Sequence, residues 1–141
     1  PNCLTVQGYP FFAGKIVLEK TLVCGENAAG AVLDFGQPHV GMMQVQVNGG
    51  VTHTFLWPPY RTAVDGLHPG ENTLTVTLYA SNRNMLGPHH HSKGEPFSVG
   101  PSSWTGEFSW VERESEAVVI TPEMRKQNFW QGGWNFVPFG L

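Results

Sequence analysis

The segment NTLTVTLYAS, residues 72–81, constrains the fold more than any other part of this chain. Apolar residues alternate along it with threonine or tyrosine, so Leu74, Val76 and Leu78 fall on one side and the hydroxyl groups on the other. A period of two is the repeat of a β-strand, and threonine suits the half-exposed face of a pleated sheet. The segment therefore predicts a strand with one buried face.

Other segments repeat this pattern more briefly. In GMMQVQVNGG, Met43, Val45 and Val47 alternate with glutamines, and Asn48-Gly49 then predicts a tight hairpin turn into VTHTF. Shorter strand candidates are GKIVLEKTL, AVLDF, EAVVIT and the C-terminal GGWNFVPFGL, whereas TPEMRKQNF predicts a short helix. Many short strands separated by turns favour an all-β, antiparallel β-sandwich over alternating strands and helices.

Composition agrees with a turn-rich β-protein and argues against two classes of partner. The 141 residues suffice for one domain, and 17 glycines and 11 prolines supply many turns. A formal net charge of -3 provides no basic surface for nucleic acid or for an anionic membrane. No apolar stretch is long enough to span a membrane. Because the chain begins at Pro1 instead of Met, we expect a single module, residues 1–141, of a longer polypeptide.

An ordered set of residues in the centre of the chain resembles a known type of domain. A strand ending in V-x-V-N-G is followed by an aromatic-proline segment leading to Y-R and by an L-x-x-G-x-N turn before a long strand. The matching residues are Val45, Val47, Asn48, Gly49, Pro59, Tyr60, Arg61, Leu67, Gly70, Asn72, Leu74 and Val76. This set resembles the galactose-binding-like jelly-roll domains attached to bacterial glycoside hydrolases of the family 2 β-galactosidase-like and α-L-rhamnosidase-like kinds. GYPFFAGKIVLEKTL and WNFVPFGL are similar to the first and last strands of such domains, so the resemblance covers most of the chain.

The resemblance implies a jelly-roll β-sandwich without catalytic activity of its own. Glycoside hydrolysis uses two positioned carboxylates, and the enzymes that carry such domains hold them in a separate catalytic domain. The acidic residues here fall mostly in turns or at exposed strand positions, without signs of pairing: Asp34, Asp65, Glu71, Glu95 and Glu107. We expect an accessory module, excised from a larger multidomain enzyme, that binds an oligosaccharide or polysaccharide, docks against the catalytic domain of its parent enzyme, or does both.

Two aromatic loops supply candidate carbohydrate-binding residues. Carbohydrate sites combine an aromatic surface for the C–H face of a sugar with a few fixed hydrogen-bonding groups. The loops FLWPPYR and NFWQGGWNF contain five such candidates: Trp57, Tyr60, Arg61, Trp130 and Trp134. Trp104 and Trp110 are further candidates. Burial in the core is the competing explanation for the aromatic residues, and a structural pair with Asp65 or a turn carbonyl is the competing explanation for Arg61.

Three consecutive histidines, His89, His90 and His91, follow Gly-Pro in a loop beyond the long strand. In extended backbone His89 and His91 point to the same side, and with Glu95 they would form an incomplete metal site that lacks the spacing of zinc motifs. We expect an ordered loop whose imidazoles hydrogen-bond to backbone carbonyls, or which, with Asn84, faces a neighbouring domain or its substrate cleft. The alternative is a small metal-dependent, cupin-like β-barrel enzyme that uses this cluster.

Cofactors and compartment are less determined by the sequence. No cofactor is predicted, and a structural calcium ion held by backbone carbonyls stays an open alternative. Cys3 and Cys24 form either a disulfide or two small buried thiols, and two cysteines do not fix the redox compartment. A secreted or periplasmic location is favoured over a cytoplasmic one. The sugar, the parent enzyme family and the oligomeric state do not follow from the sequence.

Overall fold

The structure, a computed structural model, describes residues 3–26, 28, 30–91, 94 and 131–141. It is mostly β-structure in antiparallel sheets, which confirms the predicted all-β class. The chain divides into two compact units, which are Pro1–Ser81 with Pro138–Leu141, and Asn82–Val137. The strand predicted at EAVVIT and the helix predicted at TPEMRKQNF lie outside the described residues. That the whole chain forms one module stays a prediction.

The described part of the first unit contains a 3-10 helix and six strands, and the predicted alternating segments account for most of them. Two sheets result, one with the order β1-β6-β3-β4 and one that pairs β2 with β5. The predicted long strand is β6, and the predicted Asn-Gly hairpin joins β3 to β4. The elements are the 3-10 helix Leu4–Gln7, β1 Lys15–Cys24, β2 Val32–Asp34, β3 Met42–Val47, β4 Thr52–Phe55, β5 Arg61–Ala63 and β6 Gly70–Tyr79.

The C-terminal segment GGWNFVPFGL departs from its prediction as a strand. Over residues 131–141 the described chain is irregular, and its β-pairing is limited to an isolated bridge between Gly140 and His39. One of the bulky groups near this end, Phe139, has its ring buried in the core, where it stacks on Phe12 at 5.6 Å. Phe139 therefore packs in the core although its segment does not form a hydrogen-bonded strand.

The core lies on one face of the four-stranded sheet. Along β3 and β6 buried residues alternate with more exposed ones, as a period of two requires. Met43 is paired with Leu78, and Val45 with Val76, in the antiparallel register. Met43, Val45 and Leu78 are fully buried. The opposite face of the same strands carries the threonines and glutamines that the sequence pattern placed outside.

Asn48 fixes the turn between β3 and β4. Its φ is 49°, in the left-handed region that asparagine tolerates better than most residues. Its Nδ2 donates to the Gly66 carbonyl and to Asn72 Oδ1, each at 2.8 Å, and its Oδ1 accepts from the Thr73 backbone N–H at 2.8 Å. One side chain therefore connects the hairpin to the turn that precedes β6.

Asn72 completes this connection from the other side. It is 1% exposed, and besides Asn48 it bonds to two backbone positions of the preceding turn. Its Oδ1 accepts from the His68 N–H at 3.0 Å, and its Nδ2 donates to the carbonyls of His68 at 2.7 Å and Gly70 at 3.1 Å. Because a buried amide must be hydrogen-bonded, these contacts make Asn72 a structural residue.

The described part of the second unit contains one short helix, α1 Arg83–Leu86, and the loops around it. Asn84, the buried residue of this helix, bonds twice to the backbone of Val137. No helix among the residues described is long and apolar enough to cross a membrane.

Candidate functional site

An open groove lies at the start of β5. Its volume is about 630 Å³, within the roughly 300–1,000 Å³ typical of small-molecule sites. The groove brings together the predicted residues Tyr60 and Arg61. The described residues that line it are Asp34, Gly36, Gln37, Pro38, His39, Pro58, Pro59, Tyr60 and Arg61.

Asp34 and Arg61 line the groove from paired strand positions. They are partners in the register of β2 and β5, so their side chains leave the same face of that sheet. Asp34 Oδ1 accepts a hydrogen bond from the Gly36 N–H at 2.9 Å, which leaves Oδ2 for another donor. Both side chains are exposed, and no ion pair between them occurs in the part of the chain that the structure describes.

A structural pair of Arg61 with Asp65, one of the two competing explanations for Arg61, does not occur among the contacts of the described residues. Arg61 begins β5, whereas Asp65 lies two residues beyond its end, so the whole strand separates them along the chain. The Arg61 guanidinium also makes no hydrogen bond to a turn carbonyl within the described residues. It is therefore available to a ligand in the groove.

The two aromatic residues predicted in this segment have different environments. Trp57, which directly precedes the groove residue Pro58, is 71% exposed. Tyr60 is 8% exposed, and its ring lies 6.1 Å from that of Phe55 within the hydrophobic core. Tyr60 thus lines the groove from the core side, whereas Trp57 offers the exposed aromatic surface that a sugar requires.

Gln37 and His39 are groove residues that the sequence analysis missed. They belong to the turn after β2, and His39 is fixed by two backbone hydrogen bonds to Gly140, at 2.9 and 3.0 Å. Gly36 and Pro38 predict a turn at this point. Nothing local in the sequence indicates that the turn lies beside Arg61, because that depends on the pairing of β2 with β5.

Trp134 is the exposed aromatic residue described in the second unit. It is 54% exposed, and its ring stacks on Phe136 at 5.7 Å with an interplanar angle of 11°. The His90 and His89 rings lie 4.5 and 5.2 Å from it. These contacts hold Trp134 in a defined orientation. The other candidates in this part of the sequence, Trp104, Trp110 and Trp130, lie outside the described residues.

The imidazoles of His89 and His90 bond to backbone carbonyls, which confirms that part of the prediction for this loop. His89 Nε2 lies 2.7 Å from the Asn84 carbonyl, and His90 Nδ1 lies 2.9 Å from the Gly133 carbonyl. Since a carbonyl accepts, each of these nitrogens carries the proton and donates. A nitrogen that donates in this way has no lone pair for a metal ion.

Further hydrogen bonds order the same loop. His91 is 3% exposed, and its carbonyl accepts from Asn135 Nδ2. Asn84, 4% exposed, donates from Nδ2 to the Val137 carbonyl at 2.7 Å and accepts from the Val137 N–H at 2.8 Å. Within the described ranges no three His, Cys, Asp or Glu side chains are grouped so that they could hold a metal ion. Glu95, the third residue of the alternative metal site, lies outside those ranges.

The two cysteines are free thiols. Burial raises the pKa of the Cys3 thiol, but hydrogen bonds with the Phe139 backbone, the Thr5 side chain and the backbone of Val6 and Thr5 together bring this pKa below its ordinary value. Because both thiols are free, Cys3 and Cys24 do not form the disulfide that the sequence left open.

Comparison of the chain with family models, with curated proteins and with solved structures gives no match. The likeness to galactose-binding-like domains thus depends on the residues of the motif. The functional argument depends on the geometry of the sites described above.

Proposed function

We propose that this chain is a noncatalytic carbohydrate-binding module of the galactose-binding-like jelly-roll type, an accessory domain of a glycoside hydrolase. The observation that carries the proposal is the groove at the start of β5. There the Asp34 carboxylate and the Arg61 guanidinium line one space from paired positions, and the exposed Trp57 directly precedes the groove residue Pro58 in the chain.

This combination of groups matches the chemistry of a neutral sugar. A carboxylate accepts hydrogen bonds from hydroxyl groups, and a guanidinium donates to hydroxyl oxygens, so the pair is complementary to neighbouring hydroxyls on one ring. Trp57 supplies a flat apolar surface for the C–H face. Pro58 and Pro59 restrict the backbone between the aromatic and charged groups, which reduces the entropy lost on binding.

Binding without hydrolysis is supported by the acidic residues of the groove. Among the described residues that line it, Asp34 is the one carboxylate. Hydrolysis of a glycosidic bond normally needs a general acid and a second carboxylate on either side of the bond. The groove is therefore suited to holding a sugar and lacks the pair that would cleave it.

Docking against a catalytic domain is a second candidate function, favoured by the edge strand β1. Val17 and Val23 lie on the same face of this strand and are 51% and 79% exposed. Exposed apolar side chains on a sheet edge favour contact with another protein surface. This role is compatible with sugar binding in the groove.

Isothermal calorimetry with a panel of mono- and oligosaccharides, including galactosides and rhamnosides, tests the proposal. We expect saturable binding that weakens about tenfold in Trp57→Ala, equivalent to about 1.4 kcal/mol. Arg61→Ala should weaken it to a similar extent. Trp134→Ala is the matched control, since it removes an exposed tryptophan outside the groove. Absence of heat with every sugar, from folded protein, would favour the docking role, and loss of binding in Trp134→Ala alone would move the sugar site to the second unit.

A further inference from the structure

A second cavity lies at the opposite end of β5 from the groove. Its volume is about 280 Å³, whereas an apolar cavity of roughly 150 Å³ already binds benzene. The lining comes from the β3–β4 hairpin and from the segment after β5, and it shares no residue with the groove. The lining residues are Val47, Asn48, Gly50, Val51, His53, Val64, Asp65 and Gly66.

Valines form the apolar part of this cavity. Val47 and Val64 belong to the core and are 5% and 2% exposed, whereas Val51 is 73% exposed. The walls are held in place by the Asn48 side chain, which donates to the Gly66 carbonyl at 2.8 Å, and by the Gly50 N–H, which donates to the Val47 carbonyl at 2.8 Å. A ligand would therefore meet a preformed apolar surface and would lose little affinity to ordering it.

The protonation of His53 follows from its neighbour Thr62. The Thr62 hydroxyl donates its single proton to the Ala63 carbonyl at 2.9 Å. It must therefore accept from His53 Nδ1, which lies 3.2 Å away, so Nδ1 carries the imidazole proton. In the neutral ring Nε2 is then a hydrogen-bond acceptor, and no described residue bonds to it.

Asp65 adds a second acceptor, and a negative charge, to the same cavity. Its side chain is exposed, and within the described ranges it has no ion-pair partner. The amide of Asn48, the other polar side chain of the lining, is already bonded to Gly66, Asn72 and Thr73. The titratable side chains of the cavity are therefore complementary to a ligand that donates hydrogen bonds and carries positive charge. The apolar surface of the valines lies in the same cavity and would contact an apolar part of that ligand.

We propose that this cavity binds a small primary amine with a flat apolar body. The body packs against Val47, Val51 and Val64, and the ammonium group donates to the Asp65 carboxylate and to His53 Nε2. This site goes beyond the proposed carbohydrate function and does not depend on it, since the two sites have no residue in common.

Titration of the full chain at pH 8 with three probes of the same body tests the proposal. The probes are 2-phenylethylamine, the neutral 2-phenylethanol and the anionic phenylacetate, followed by calorimetry and by amide chemical shifts. We expect the amine to bind tightest and phenylacetate weakest, with shifts at residues 47–53 and 64–66. Equal binding of amine and phenylacetate, or no saturable binding of the amine, would overturn the proposal.

Variants separate the charge of the site from its apolar part. Asp65→Asn should weaken the amine about twofold to fivefold and leave 2-phenylethanol unchanged, whereas Val51→Trp, at an exposed position, should weaken both. Asp34→Asn is the matched control, because it removes an exposed carboxylate from the groove. An unchanged amine affinity in Asp65→Asn, or an equal loss in Asp34→Asn, would overturn the proposal. Sugar titration of Asp65→Asn should match the parent chain, so failure at either site is visible separately.

Discussion

At one end of β5, Asn48 and Asn72 direct their amide groups to backbone atoms and to each other, whereas at the other end Asp34 and Arg61 are exposed and face a groove. The positions of all four side chains are set by turns or by the pairing of strands. The asparagines are satisfied within the fold, so their removal should damage stability. Arg61 has no partner among the described residues, so its removal should damage binding and little else. The bonding of a polar side chain thus separates structural from functional residues better than its position in a motif.

The largest effect is expected from Asn72→Ala. This change removes four hydrogen bonds, to Asn48, Gly70 and twice to His68, all made by a side chain that is itself buried. The free energy of unfolding should fall by about 2–4 kcal/mol. Urea denaturation followed by tryptophan fluorescence measures it.

Asn82→Ala is the control for this change. Asn82 is exposed and makes no side-chain bond to the helix that it precedes, so its loss should stay within about 0.5 kcal/mol. Equal stability of the two variants would contradict the structural role of Asn72, because its hydrogen bonds to the turns would then not stabilise the fold.

A smaller effect is expected from Asn84→Ala in the second unit. Asn84 is buried and exchanges two hydrogen bonds with the Val137 backbone, so truncation should cost about 1–2 kcal/mol. Hydrogen exchange at the Val137 amide, which donates to Asn84 Oδ1, reports the loss directly. Unchanged protection of that amide would argue against a structural role for Asn84 and in favour of the rim role that the sequence also allowed.

Arg61→Ala should change the free energy of unfolding by less than about 0.5 kcal/mol, as expected for an exposed side chain without an ion pair. The same urea titration measures it. A loss as large as that of Asn72→Ala would show that Arg61 supports the fold, and the groove would then lose its main donor as a candidate ligand contact.

The smallest expected effect concerns Cys3, whose pKa is lowered because backbone and Thr5 hydrogen bonds outweigh burial. The thiolate should therefore form at lower pH in the folded chain than in urea, and its contribution to stability should be lost as the pH falls through the folded pKa. Alkylation rates against pH, in a Cys24→Ser background, measure this midpoint. A folded midpoint at or above that in urea would contradict the assignment.

The strands of the large sheet could be predicted because their signal is local. Alternation over residues 42–47 and 72–79 fixes which side chains are buried, and Asn48-Gly49 fixes the hairpin. The C-terminal segment departs from the predicted strand: Phe139 is buried by packing, and among the described residues the β-pairing of this segment is limited to the bridge between Gly140 and His39. A period of two in the sequence predicts which residues are buried when the segment is a hydrogen-bonded strand. It does not do so where an isolated bulky residue packs into the core outside a strand.

The candidate site was predictable in part. Trp57, Tyr60 and Arg61 are visible as an aromatic, proline-rich loop, but the sequence does not show that Tyr60 belongs to the core. Asp34 is exposed, as the sequence predicts, but its position opposite Arg61 does not follow from the sequence, because β2 and β5 are each three residues long and pair across a wide gap in sequence. Strands this short carry too little periodicity to reveal their partner.

Amide chemical-shift mapping with the tightest-binding sugar tests the central claim most directly. The account predicts that the shifts cluster at residues 34–39 and 57–61, around the groove, and that the amides of Asn48, Asn72 and Thr73 stay unchanged. Shifts confined to the turns around Asn48 and Asn72, or to residues 131–137, would contradict it, because the polar residues assigned to the fold would then be the ones that meet the ligand.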